Sequence, residues 1–309
     1  MSGEISRRRV LAGLLVTMAG AGMSGVRAMA ARPDRIAVID WALLETLLAI
    51  GITPVAAAEL VQYRQTVIEP PLPAGVIDLG LRGALNFEVL RLAAPDLILN
   101  SGFHAWADPN LARIAPVLSL SIHRPDAAPY AAAEAATRIL GARFDRMAAA
   151  EACIAATARA IDVAAEGLAA RAGGRPVFLV SLGDARHVSA FGADAMFGQV
   201  LARMGLANAW TGLTRYSGNA PVGIEALAER PDAWIAIIGP TAPDALRGLF
   251  RSRLWQALPA VREERVVILD PVNPFGGLPS AARFARLLAA GIHAAGIHAV
   301  GADGRRADG

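Results

Sequence analysis

The chain contains no lysine: all 30 of its basic residues are arginine, set against 27 acidic ones. That absence excludes the phosphate-cradling G-x-x-x-x-G-K-[ST] loop. Arginine also suits fixed recognition of ligand oxygens better than lysine does. Cysteine is nearly absent too. Cys153 is the only one, so no internal disulfide forms, and its Ala-rich setting predicts a small buried apolar residue. Histidines are few and scattered at His104, His123 and His187. His293 and His298 are separated so that on a helix they point about 140° apart, which prevents a shared metal. G-x-S-x-G, H-E-x-x-H and C-x-x-C are all missing. These absences move weight from catalysis to binding.

The first thirty residues give the chain its address. Arg7-Arg8-Arg9 precede a short apolar run from Val10 to Met18, and a small-x-small end follows at Ala28-Met29-Ala30. A charged start, an apolar stretch too short to span a bilayer and a small-residue end predict a cleavable export signal, cut near Ala30. Paired arginines before the apolar run point to the twin-arginine route, and a periplasmic location is expected. Cleavage removes Arg7, Arg8, Arg9, Arg27 and Glu4, leaving formal charges that cancel. The basic character of the precursor therefore argues for no nucleic-acid partner. Beyond the leader, no uncharged apolar run is long enough to cross a membrane.

The rest is too long for one typical domain and predicts an α/β protein of two lobes. Buried-strand patterns at Arg35–Ile39, Val76–Leu79, Leu97–Leu99 and Val117–Ile122 alternate with helical stretches at Trp41–Ile50 and Asn86–Leu92. Mostly parallel sheets covered on both faces are expected. Asp145–Ala172 has no proline and a single glycine, and reads as one helix ~42 Å long, stopped by Gly173-Gly174-Arg175-Pro176. Val177–Leu182 and His187–Phe191 suggest a hairpin, and Trp234–Ile238 and Arg265–Leu269 two more strands. The expected division is a leader at 1–30, a first lobe at 31–128, an interlobe helical segment at 129–173, a second lobe at 174–300 and a disordered tail at 301–309.

Four loops that follow predicted strands carry recognition chemistry. They are Gly80–Gly83 with Arg82, Asn100–Trp106 with Phe103, His104 and Trp106, the polar Trp210–Asn219 with Tyr216, and Asn273–Gly277 with Phe275. Open α/β sheets bind ligands at such strand ends.

On these residues the chain resembles the periplasmic ferric-hydroxamate siderophore-binding proteins (the FhuD type), the substrate-binding components of ABC iron importers. The similarity runs along nearly the whole length. It is most specific at Tyr63-Arg64-Gln65 with Glu69-Pro70-Pro71-Leu72-Pro73, at Asp78–Arg82, at Leu111–Pro116, at Arg186-His187 with Phe191-Gly192, at Asn208-Ala209-Trp210 and at Leu254–Pro259. The resemblance implies two Rossmann-like lobes joined by a single long backbone helix (a class III periplasmic binding protein), with little closure on ligand. It implies no enzymatic activity, no cofactor and no protein-supplied metal ligand, because hydroxamate oxygens already wrap the iron. The expected partners are a ferric siderophore and an inner-membrane ABC permease, and the expected state is a monomer. Arg82 stands where the family's arginine meets hydroxamate oxygens, and His104 where a tyrosine donates to the ligand. Thr66, Asn100, Ser217 and Asn273 replace large pocket aromatics, while Phe275 stands at a tyrosine position. Those replacements imply a wider, more polar cleft, open to mixed citrate-hydroxamate or carboxylate siderophores. Phe103, Trp106 and Tyr216 are candidates for apolar contact. The family docks its permease through carboxylates. Its first-lobe glutamate aligns with Pro109, leaving Asp108 as the neighbouring candidate, and Glu225 is the candidate in the second lobe. The alternatives are cobalamin or haem on the same fold, a direct metal-ion binder, and an exported α/β hydrolase using His187 or His104.

Overall fold

The computed structural model describes residues 33–125, 127–215 and 218–303. The leader, Tyr216, Ser217 and most of the expected tail lie outside the described residues. Residues 301–303, placed in that tail by the sequence, continue the last helix, Leu278–Asp303.

Among the described residues ten strands form two five-stranded sheets. The first holds β1 (Ile36–Val38), β2 (Ala56–Ala57), β3 (Ile77–Asp78), β4 (Leu97–Asn100) and β5 (Val117–Ser119), in the order β3-β2-β1-β4-β5. All its pairings are parallel. The second holds β6 (Val177–Leu182), β7 (His187–Phe191), β8 (Asn219–Gly223), β9 (Trp234–Ile238) and β10 (Val266–Leu269), in the order β10-β9-β6-β7-β8. Here β10, β9 and β6 run parallel, while β7 and β8 form an antiparallel edge. β8 starts at the residue that closes the expected polar loop, and it carries Pro221, which an edge strand tolerates.

The helix expected over Asp145–Ala172 is shorter than its composition suggests. A Pro129–Arg143 helix comes first, Asp145 turns the chain at φ 54°, and a 19-residue helix runs over Met147–Ala165. Glu166 leaves helical geometry, Gly167 takes φ 68°, and only a short Leu168–Arg171 turn follows. The left-handed conformation at Gly167 costs glycine little and ends the run there. The two helices cross closely because Gly141 lacks a side chain: a Cβ built there meets the Ala150 Cβ at 2.6 Å. Gly141→Ala should cost ~1–3 kcal/mol through overpacking, read as a lower urea midpoint at unchanged slope.

Strand alternation explains how the sheets are joined. Ile36, Val38, Leu97 and Leu99 of the first sheet face a central core, as do Val177, Leu179, Trp234, Ala236 and Ile238 of the second. Their neighbours along each strand face the other way. Ala37 and Ile98 enter a core on the outer face of the first sheet, and Phe178, Val180, Ile235 and Ile237 one on the outer face of the second. A period of two forces this division. The central core is completed by the helices Trp41–Ala49, Pro129–Arg143, Met147–Ala165, Met196–Arg203 and Leu278–Asp303. Both sheets thus share one continuous apolar layer, with Phe197 stacked on Phe284 at 4.1 Å inside it. Cys153 packs half-buried against the same layer. Among the described residues, no helix is long and apolar enough to cross a membrane.

Candidate functional site

Four parallel strands of the first sheet end side by side, and residues two to four positions beyond each end line one cavity of about 390 Å³. After β1, Asp40 caps the Trp41–Ala49 helix, accepting from the N–H groups of Ala42 (2.8 Å) and Leu43 (3.2 Å). After β2, Glu59 takes left-handed φ and ψ of 58° and 47°, and its N–H bonds the Gly80 carbonyl at 2.7 Å. After β3 comes Arg82. After β4 come Phe103 and His104, in the helical turn Gly102–Ala107. Phe275, from the segment beyond β10, supplies the wall on the second sheet's side.

Arg82 is held by two neighbours that are distant in sequence. Its Nε donates to the Glu59 carboxylate at 2.5 Å, and its Cζ lies 3.8 Å from the centroid of the Trp41 ring. Trp41 is itself fixed, donating its indole N–H to the Ala58 carbonyl at 3.0 Å and meeting Tyr63 edge-on at 5.7 Å. A guanidinium has five N–H donors in a rigid fork. One is used by Glu59, so four remain beside the cavity. The side chains of Arg82 and Glu59 are 30% and 18% exposed, so water still screens the pair.

The His104 pKa lies below the ordinary imidazole value. Burial is the main cause and Arg82 adds to it, while Asp40 and Glu59 oppose it. At neutral pH the ring is uncharged and offers one donor and one acceptor. The aromatic wall is a connected cluster. Phe275 packs on Phe103 (6.3 Å), on Phe191 (6.2 Å) and edge-on against His123 (5.8 Å).

Of the residues singled out in the sequence, Arg82, Phe103, His104 and Phe275 come together here. Others stand elsewhere. Asn100 is fully buried, and its amide donates to the His104 carbonyl at 3.1 Å and to Asp108 at 2.6 Å, so it braces the loop from beneath. Asn273 is also buried, and its side-chain oxygen accepts the Phe275 N–H at 3.1 Å, shaping that turn. Thr66 closes the Leu60–Thr66 helix and Trp106 is 51% exposed; neither lines the cavity. Among the described residues the cavity's polarity therefore comes from Asp40, Glu59, Arg82 and His104 rather than from Thr66, Asn100 or Asn273. Asp108 is engaged by Asn100, whereas Glu225 is exposed at the start of the Ile224–Glu229 turn. His187 pairs with Asp184 in an exposed turn and touches no cavity wall. Among the described residues, no group of three His, Cys, Asp or Glu side chains is placed to hold a metal.

Sequence reasoning missed Asp40, Trp41 and Glu59. The strand-end rule that found Arg82 points to Asp40 as well. Glu59 carries no such signal, because β2 is only two alanines long.

This arrangement has a sheet-end cleft, one held arginine and aromatic walls, and among the described residues that line it no nucleophile is set on a histidine. Such a site suits the binding of a small molecule. The chain belongs to the periplasmic binding protein family, whose model matches residues 36–272. It is 34% identical over 284 residues to the iron(3+)-hydroxamate-binding protein FhuD of Escherichia coli (strain K12), spanning 92% of this chain and 95% of that protein. Its fold matches FhuD from Vibrio cholerae, solved with Fe3+-Desferal bound, at a TM-score of 0.80 and 28% identity, over 84% of this chain and 98% of that one. It also matches the periplasmic binding protein component of a Fep/Fec-like ferrichrome ABC transporter from Bacillus subtilis. There the TM-score is 0.66 at 17% identity, covering 84% of this chain and 97% of that one, a likeness of fold alone.

Proposed function

We propose that this chain captures a ferric hydroxamate siderophore in the cavity at the first sheet's edge and delivers it to an ABC import permease. The observation that carries this is Arg82, held between Glu59 and the Trp41 ring with four N–H donors left beside the cleft. An iron-hydroxamate centre presents a ring of partly negative oxygens, and a pre-oriented guanidinium meets these with charge-assisted hydrogen bonds. His104, kept neutral by burial, adds a donor. Trp41, Phe103 and Phe275 offer apolar surface to the organic skeleton. The iron then needs no ligand from the protein.

The charges around the cavity bear on the ligand's type. Asp40 and Glu59 face a single Arg82. A complex bearing free carboxylates would meet this surplus of negative charge, so a hydroxamate complex fits better than a citrate-rich one. The similarity to the Escherichia coli and Vibrio cholerae proteins supports the same choice.

Export to the periplasm by the twin-arginine route, with cleavage near Ala30, is part of this reading, and the Arg7-Arg8-Arg9 leader supports it. Glu225, exposed on the second sheet's side, is the better-placed docking carboxylate, since Asp108 already answers a buried amide. Fluorescence quenching of the mature protein against ferrichrome, ferrioxamine B, ferric citrate, haem and cobalamin tests this reading. Saturable quenching is expected with the hydroxamates and little with ferric citrate. A response confined to haem or cobalamin would transfer the function to those ligands.

A further inference from the structure

The loop that carries Phe275 is tied to the first sheet's side by two ionisable residues. Glu45, fully buried on the Trp41–Ala49 helix, accepts the Gly277 N–H and bonds the Ser280 hydroxyl at 2.6 Å. Gly277 immediately precedes the Leu278–Asp303 helix, and Ser280 lies in its first turn. His123 is 5% exposed, and its Nε2 lies 3.0 Å from the Gly276 carbonyl. A carbonyl only accepts, so Nε2 carries the proton. Gly276 runs so close beneath these groups that a Cβ there would collide with both Ser280 and Glu45. His123 also packs edge-on against Phe275.

We propose that Glu45 is a positioning residue: a hydrogen-bonding latch that, with His123, seats residues 273–277 so that Phe275 completes the ligand cavity. It acts through the loop and touches no ligand. The proposal rests on the reading that this cavity takes a ferric siderophore.

The carboxyl satisfies both partners, with Oε1 accepting from the Gly277 N–H and Oε2 from the Ser280 hydroxyl. Burial pushes the Glu45 carboxyl up to about 8, Asp40 adds to the rise, and the bonds from Ser280 and Gly277 oppose it. The other titratable neighbours are the Tyr63 phenol and the Cys153 thiol, both pushed up by burial and by Glu45 itself. On the C-terminal helix Arg283 and Arg286 pair with Glu69. On the Pro129–Arg143 helix Glu134 and Arg138 pair with each other, and Arg138 also with Glu151. A carboxyl whose folded pKa is raised stabilises most fully at acid pH, and that stabilisation is lost as pH rises through the folded value. The latch is therefore closed at neutral pH and loosens above pH about 8.

The test is a titration of the mature wild type, Glu45→Gln and Glu45→Ala with ferrioxamine B between pH about 6 and 9.5, with thermal melts alongside. Glutamine accepts from Gly277 and donates to Ser280, so Glu45→Gln should keep neutral-pH affinity and hold it at high pH. Wild type should weaken about fivefold or more above pH about 8, and Glu45→Ala by at least that much throughout. Equal losses in Glu45→Gln and Glu45→Ala, or matching pH profiles for wild type and Glu45→Gln, would overturn the latch. If Glu45→Ala does not fold, the Glu45→Gln profile decides alone. If wild type binds no ferric siderophore, the functional reading fails instead. The melts then test the latch: wild type alone should lose stability as pH rises towards about 8 and level off above it, and parallel curves would reject it.

Discussion

Arg82→Ala is expected to weaken ferric hydroxamate binding by more than tenfold while leaving the fold intact. The two halves of that result have separate causes. The Arg82–Glu59 pair is partly exposed, and such pairs contribute only ~0–1 kcal/mol to stability. The guanidinium stack on Trp41 adds a comparable amount, ~0.5–1 kcal/mol. Binding loses more, because the four remaining donors of a fork held by Trp41 and Glu59 disappear together. A tenfold loss corresponds to about 1.4 kcal/mol, which one or two charge-assisted hydrogen bonds supply. Arg82→Lys should fall in between, since an ammonium keeps the charge but loses both the fork and the flat face. Fluorescence titration with thermal melts reads both halves at once. Unchanged affinity in Arg82→Ala would reject the role.

Phe284→Ala is expected to be the most destabilising single truncation in the shared core, at ~3–5 kcal/mol. Phe284 is fully buried and stacked at 4.1 Å and 5° on Phe197, which belongs to a helix of the second sheet's side. The melting temperature should fall on the order of 10 °C. Because the central core runs beneath both sheets, the variant should still unfold in one transition. Two separated transitions would show that the sheets have independent cores, and a loss under ~1 kcal/mol would show a loosely packed layer.

That shared layer marks where sequence reasoning ran short. Strands rich in β-branched and apolar residues, such as β1, β4, β6, β9 and β10, are visible as patterns, and so is the cap Asn86 before Phe87–Leu92. β2 is two alanines without β-branching, and β8 contains Asn219, Pro221 and Gly223, so neither carries a strand signal. The long helix is predicted from composition, yet Gly167 needs only one left-handed residue to end it.

The site divides in the same way. Arg82 is legible because it follows a strand and a turn. Its holders Trp41 and Glu59 are not, because they meet it only through the sheet order that sets β1, β2 and β3 side by side. Asn100 and Asn273 show the opposite failure. Their polarity suggests ligand contact, but short polar side chains also bond the nearby backbone, and here they do so. Glu45 sits next to Thr46 in the otherwise apolar helix Trp41–Ala49, and nothing local in the sequence shows that it meets Gly277 and Ser280.

Calorimetric titration of the mature protein with ferrioxamine B and, separately, with its iron-free form measures how far the cavity reads the iron-bound oxygens. A cavity built to meet iron-bound hydroxamate oxygens should bind the ferric complex at least about tenfold more tightly, and Arg82→Ala should remove most of that difference. Equal affinity for the two forms, or an undiminished difference in Arg82→Ala, would contradict the account.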